Sequence, residues 1–150
     1  MPIDNKSIVR RLYEEVWNMR RLEVIDELIS PSHAVQIADA TDPGTGIGPE
    51  AYARTVVEFV TAFPDVKFTV LDLFAENDKV VACWNISGTH QGVFRGLAPT
   101  GKKISVDGST VNQLANGKIM DSYVSWDLWG LMQQLGAIPA LGQPQKASAR

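Results

Sequence analysis

The chain has one cysteine, Cys83, so no disulfide can form within it. Cys83 sits in an apolar run, and the expectation is a buried, inert thiol. There are two histidines, His33 and His90, and no Cys/His spacing of the kind that holds zinc. No apolar run is long enough to span a bilayer. The N-terminal MPIDNKSIVRR lacks the apolar core of a signal peptide, which makes a cytoplasmic protein the expectation. A basic excess is missing too: 14 Lys and Arg stand against 17 Asp and Glu, a net charge of −3, so there is no broad electrostatic footprint for nucleic acid. Arg10, Arg11, Arg20 and Arg21 lie close together and read as a solvated helix face and its exit. Internal repeats are also missing.

What remains is ordinary for a globular domain: 45% apolar and 21% charged residues in a chain of 150. That length supports one domain with a sizeable core, placed at residues 1–138, followed by a small, polar, flexible tail at 139–150.

The pattern gives helices first and strands after. Asp4 or Asn5 can cap a helix reading IVRRLYEEVWNMR, with Ile8, Leu12, Val16 and Met19 at helical spacing and Tyr13 and Trp17 beside them. A second short helix, LEVIDELI, ends at Ser30-Pro31. Residues 33–38 suit a short strand, and ATDPGTGIGP a loop. Pro49 opens a third helix carrying Tyr52, Val56, Phe59, Val60 and Phe63. Three strands follow, KFTVLDLFAEN, KVVACWNISGTH and KKISVDGSTVNQL. Asn116-Gly117 then turns the chain into a fourth long strand ending at Trp126. Asp127 stands as the N-cap of a last short helix that Gly136 closes. Helices followed by an antiparallel meander make an α+β fold with helices on one face of a sheet.

Six segments in this order resemble the SnoaL-like polyketide cyclases of the nuclear transport factor 2-like superfamily. They are RRLYEEVWN, IGPEAY, AFPD, GTHQGVFRGLAPTGKK, NGKI and WDLWGLMQQLG, and they span residues 6–138. The resemblance implies a cone-shaped barrel: a curved, mainly antiparallel sheet packed against three N-terminal helices, with a short C-terminal helix. It implies a homodimer through the outer sheet face, and chemistry without metal or organic cofactor on polyketide-type substrates. Family members include aldol cyclases and relatives linked to hydroxylation; limonene epoxide hydrolase has a similar barrel. The aspartate of the aldol cyclases falls at Val124 and their histidine at Thr110. The arginine and aspartate of the epoxide hydrolases fall at Trp84 and Ile86. A histidine that many relatives carry on the first strand falls at Gln36. None of these ionisable groups carries over, and a valine cannot transfer a proton, so an aspartate-based aldol mechanism is disfavoured.

Strand alternation sorts the faces. With Val124 inward, Ser122 and Trp126 join it, and so do Trp84, Ile86, Gly108, Thr110 and Asn112 on neighbouring strands. Tyr123, Ser125 and Asp127 point away. Tyr13, Trp17, Tyr52, Phe59 and Phe63 supply the helical side. The substrate-binding set is therefore Trp17, Gln36, Tyr52, Phe59, Trp84, Ile86, Thr110, Asn112, Ser122, Val124 and Trp126, around an apolar cavity almost without charge and suited to a flat or polycyclic molecule. His33 is expected to be exposed, His90 to be structural or exposed, and Asp39 and Asp42 to be solvated loop acids. Three readings follow: a cyclase or isomerase that positions a poised substrate and polarises it with neutral hydrogen bonds, a cofactor-independent hydroxylase-type relative, and a non-catalytic binder of apolar metabolites. An enzyme of polyketide-type metabolism comes first.

Overall fold

The computed structural model describes residues 4–37, 46–139 and 142. The Asp4 carboxylate accepts from the Lys6 N–H and opens α1 (Asn5–Arg11). From Leu12 to Asn18 the same helix widens into a π-helix, closed by the Met19 N–H on the Glu14 carbonyl. The helix ends because Arg20 takes a left-handed φ of 61°. Its guanidinium donates to the carbonyls of Trp17, Pro64 and Val66, tying the helix end to the chain before the sheet. Met19, expected on the apolar stripe, is 63% exposed as a result. The neighbouring arginines form the expected solvated face: Arg11 pairs with Glu15 and Glu27, and Arg21 with Glu15 and Glu23.

The second helix is shorter than its sequence suggests. A 3-10 turn (Leu22–Val24) leads into α2 (Ile25–Leu28), and β1 (Ile29–Ile37) begins at once, running straight through Pro31. A proline is tolerated there because β1 is an edge strand. After α3 (Pro49–Ala62), the strands β2 (Lys67–Glu76), β3 (Lys79–Thr89), β4 (Lys103–Ala115) and β5 (Lys118–Trp126) fall where alternation placed them. Asn116 and Gly117 both have positive φ, 53° and 77°, as the β4–β5 hairpin turn requires. Asp127 accepts from the Gly130 N–H at 2.8 Å and caps α4 (Leu128–Gln134). Gly136, at φ 79°, ends it.

The sheet order is β1-β5-β4-β3-β2. β1 joins β5 in parallel and every other pair is antiparallel. Register builds continuous cross-strand rows. Leu73, Ala82, Thr110, Val124 and Ile37 make one row facing the helices. Val80, Asn112, Ser122 and Val35 make the next. The helical face covers both with Ile8, Val9, Leu12 and Val16, each at most 3% exposed. Cys83 lies on the opposite, outer face and is half-buried, not buried. Its neighbours in sequence, Ala82 and Trp84, take the inward positions.

Candidate functional site

The inward rows and the π-helix enclose a cavity of about 90 Å³. β3, β4 and β5 contribute Trp84, Ile86, Thr110, Asn112, Ser122, Val124 and Trp126, the π-helix contributes Leu12, Tyr13 and Trp17, and α3 contributes Tyr52, Thr55 and Phe59. Phe68, Val35, Ile37 and Arg95 complete the wall. Ten of the eleven residues assigned to the site from sequence thus surround one space. Tyr13 and Trp17, four apart on the widened helix, both reach it. Trp17 meets Phe59 edge-on at 5.8 Å and Tyr52 at 6.3 Å, and Phe59 meets Trp126 at 5.8 Å, so the aromatic wall is a connected set of rings.

Gly108 is inward as expected, and its role is to leave room. A Cβ there would stand 2.4 Å from the Trp84 ring. Trp84 lies flat over the glycine and turns its Nε1–H to the Thr110 hydroxyl, which accepts it at 3.0 Å. The Tyr13 hydroxyl donates to the same oxygen at 3.2 Å. Thr110 therefore accepts two hydrogens, and its own hydrogen has no acceptor among the described residues. Tyr52 is arranged in the same way: its oxygen accepts the Trp17 Nε1–H at 2.8 Å, and its hydrogen has no acceptor among the described residues. Burial pushes the Tyr13 phenol up to about 12, partly offset by its bonds to Thr110 and Trp84. Burial likewise raises Tyr52 above the ordinary phenol. Both phenols are neutral donors at neutral pH.

A second chain runs behind the wall. His33 Nε2 meets the Ser122 hydroxyl at 2.9 Å. Ser122 donates to Asn112 Oδ1 at 2.9 Å, and Asn112 Nδ2 donates to the Val80 carbonyl at 3.4 Å. The Ser122 hydrogen is spent on Asn112, so the hydrogen between His33 and Ser122 belongs to His33. Serine here is a link in the wall and not an activated nucleophile. Burial lowers His33 to about 4, against a smaller opposing pull from Asp121, and the ring is neutral at pH 7.

Several expectations are corrected. Gln36 does not face the cavity: it is exposed and pairs with Tyr123 on the outer face. Val35 and Ile37 on either side of it point inward, and that alternation was the signal that outweighs the family position. His33, expected to be exposed, is 1% exposed. Phe63 is buried but does not line the cavity; it packs on His90 and Phe94. His90 is structural, fully buried, and accepts from the Thr100 N–H through Nδ1. Asp39 and Asp42 lie outside the described residues, as does almost all of the tail. Arg95 was not anticipated: it is the one charged residue lining the cavity among those described. No group of three or more His, Cys, Asp or Glu among the described residues could hold a metal ion. No helix among them is long and apolar enough to cross a membrane.

Comparison with known proteins agrees with this geometry. The family model described as SnoaL-like polyketide cyclase matches residues 7–135. A search of the curated proteins finds no match. Among solved structures, a candidate polyketide cyclase from Acidithiobacillus ferrooxidans is 32% identical with a TM-score of 0.78, covering 91% of this chain and 99% of its own. A candidate SnoaL-like polyketide cyclase from Jannaschia sp. CCS1 is 25% identical with a TM-score of 0.80, covering 93% and 97%. AclR from Streptomyces galilaeus, described as a candidate hydroxylase, is 24% identical with a TM-score of 0.78, covering 93% and 85%; this likeness is one of fold.

Proposed function

This chain belongs to the SnoaL-like polyketide cyclase family, and from that premise we propose that it is a ring-closing or isomerising enzyme of polyketide-type metabolism that works through neutral hydrogen bonds. The observation that carries the reading is the Thr110 hydroxyl. Tyr13 and Trp84 both donate to it, which leaves its own hydrogen for a substrate oxygen. Val124 stands directly across the β4–β5 pair from it. An acid/base aspartate at that position is replaced by an apolar surface.

The chemistry suits a substrate that has already enolised. The enol carbon attacks a ketone carbon, a C–C bond forms, and the carbonyl π electrons move onto its oxygen. The enol O–H loses its proton and the new alkoxide gains one, so the protein need not hold a net proton. Thr110 and Tyr52 stabilise the charge that develops on the carbonyl oxygen, and the aromatic wall holds the chain in the folded conformer. The cavity, about 90 Å³, is smaller than the roughly 300–1,000 Å³ of pockets that enclose a drug-sized ligand. The reacting ring enters it and the rest of a larger substrate stays outside.

The test is ring closure of acyclic 1,3,5-tricarbonyl compounds, followed by absorbance. Wild-type protein accelerates closure over buffer. Thr110→Val lowers kcat by about 10²-fold with KM little changed, and Thr110→Ser restores most of it. Equal rates for wild type and Thr110→Val would sink the proposal. Binding without any acceleration would favour the second reading, a metabolite-binding protein. That reading draws on the lack of any carboxylate in the cavity wall among the described residues.

A further inference from the structure

The sheet side of the cavity uses its lone pairs within the protein and keeps hydrogens for the space it encloses. The direction is set at Val80. A backbone carbonyl can only accept, so the Asn112 group that meets it at 3.4 Å is the Nδ2 amide. Asn112 Oδ1 is thereby turned to Ser122, whose hydroxyl donates to it at 2.9 Å. The Ser122 oxygen is left to accept, and His33 Nε2 supplies the hydrogen at 2.9 Å. The neutral His33 ring therefore carries its one hydrogen on Nε2. An amide nitrogen has two hydrogens. Asn112 gives one to Val80, and the second has no acceptor among the described residues.

Thr110 reaches the same condition by another route. A hydroxyl oxygen has two lone pairs, and Tyr13 and Trp84 fill both. Tyr13 spends its own hydrogen there and also takes a bond from Trp84. Thr110 and Asn112 stand two apart on the inward face of β4. Across the β4–β5 pair they meet Val124, which is apolar, and Ser122, whose oxygen is already engaged by His33. On α3, the Tyr52 oxygen takes the Trp17 hydrogen. Thr55 is the exception: its hydroxyl donates to the Ala51 carbonyl at 3.3 Å and leaves its lone pairs open.

We propose that this cavity discriminates by the oxygen of its ligand: it takes a ring that bears a carbonyl, which only accepts, and turns away the same ring bearing a hydroxyl, which must also donate. Thr110 and Asn112 determine that choice, and His33 is the positioning residue that keeps the Ser122 hydrogen on Asn112. The inference rests on the reading of the cavity as a substrate pocket, and it goes beyond that reading by naming the oxygen the pocket admits. A hydroxyl bound beside Thr110 and Asn112 leaves its hydrogen buried and unpaired. Ring closure turns a ketone oxygen into a hydroxyl, so the hydrogens that hold the open substrate fit the closed product less well and favour its release.

The experiment compares 1-tetralone with each enantiomer of 1-tetralol by isothermal titration calorimetry at pH 7. The expected result is tetralone binding at least about tenfold more tightly than either alcohol. Asn112→Leu removes one donor and frees the Ser122 hydroxyl, so the preference narrows. His33→Phe opens a lone pair on Ser122, so tetralol gains affinity while tetralone keeps its own; a uniform loss of both ligands would overturn the positioning role. Nitrogen-15 NMR of wild-type protein should show His33 as the Nε2–H tautomer, its signals told from those of His90 by their loss in His33→Phe. The Nδ1–H tautomer would reverse the chain and overturn the inference. Equal binding of ketone and alcohols to wild-type protein also overturns it and leaves the pocket reading standing, as does a preference that survives whole in Asn112→Leu. Binding of neither overturns both. If the variants do not fold, the wild-type comparison and the tautomer decide.

Discussion

Gly108 and Trp84 show how a single residue sets the site. The indole fits because the facing position has no side chain, and its Nε1–H then finds Thr110. Gly108→Ala forces the ring away. Urea unfolding should show a loss of about 1–3 kcal/mol, and the Thr110 hydroxyl loses one of its two donors. An unchanged midpoint would mean that Trp84 has another place to go. His33 gives a pH dependence with a definite sign. Its folded value is lowered to about 4 from an ordinary 6.5, so between these values the unfolded chain binds the proton and the folded chain does not. Stability is therefore full above pH 6.5 and falls as the pH drops toward 4. His33→Phe should remove that part of the slope between pH 6.5 and 4.5. Urea midpoints that fall equally in both proteins would rule His33 out as the cause.

At the scale of elements, the caps and turns were readable because their chemistry is local. Asn116-Gly117 needs positive φ at two adjacent residues, and Asp127 needs an N–H three residues on. The β2–β5 boundaries were readable because each is a run of nine or more residues bounded by turn residues such as Asn77-Asp78 and Asn116-Gly117. A displaced acid is the alternative role for Asp127, the carboxylate that follows Trp126. As a cap, its replacement by Ala should cost about 1 kcal/mol of stability and leave the ring-closure rate unchanged. A lost rate at unchanged stability would revive the alternative. The α1–π junction was not readable. The sequence from Leu12 to Asn18 carries an ordinary helical period, and the end of the widened helix is held by Arg20 on carbonyls more than forty residues away.

The whole molecule presents two sheet faces with different tasks. The inner face surrounds the cavity. The outer face carries Phe74, Val81, Val111 and Tyr123 in one cross-strand row. Phe74 and Tyr123 are each 53% exposed, and Leu71 is 56% exposed on the same strand as Phe74. A contiguous apolar row of this kind is a candidate for association, and we propose that two copies pair through it. Light scattering behind size exclusion should give a dimer for wild type and a monomer for Val111→Lys, with the ring-closure rate preserved in both. A monomeric wild type at micromolar concentration would remove the proposal without touching the cavity.

The amino-acid sequence by itself determined which residues share a face, where four long strands turn, and what caps the last helix. These follow from side-chain alternation and backbone conformation within a few residues, and they brought ten inward residues around one cavity. The tertiary structure alone decided what ionisable chemistry stands near that cavity. His33 came to stand behind the wall, against Ser122, because β1 starts early and pairs in parallel with β5, with a register shift after Ile29. Gln36 left the site by the same pairing. Arg95 reached the cavity because a strained two-residue turn folds back over α3 and lays its side chain across Phe59. Each of these placements depends on contacts between segments distant in the chain, and no local period records them.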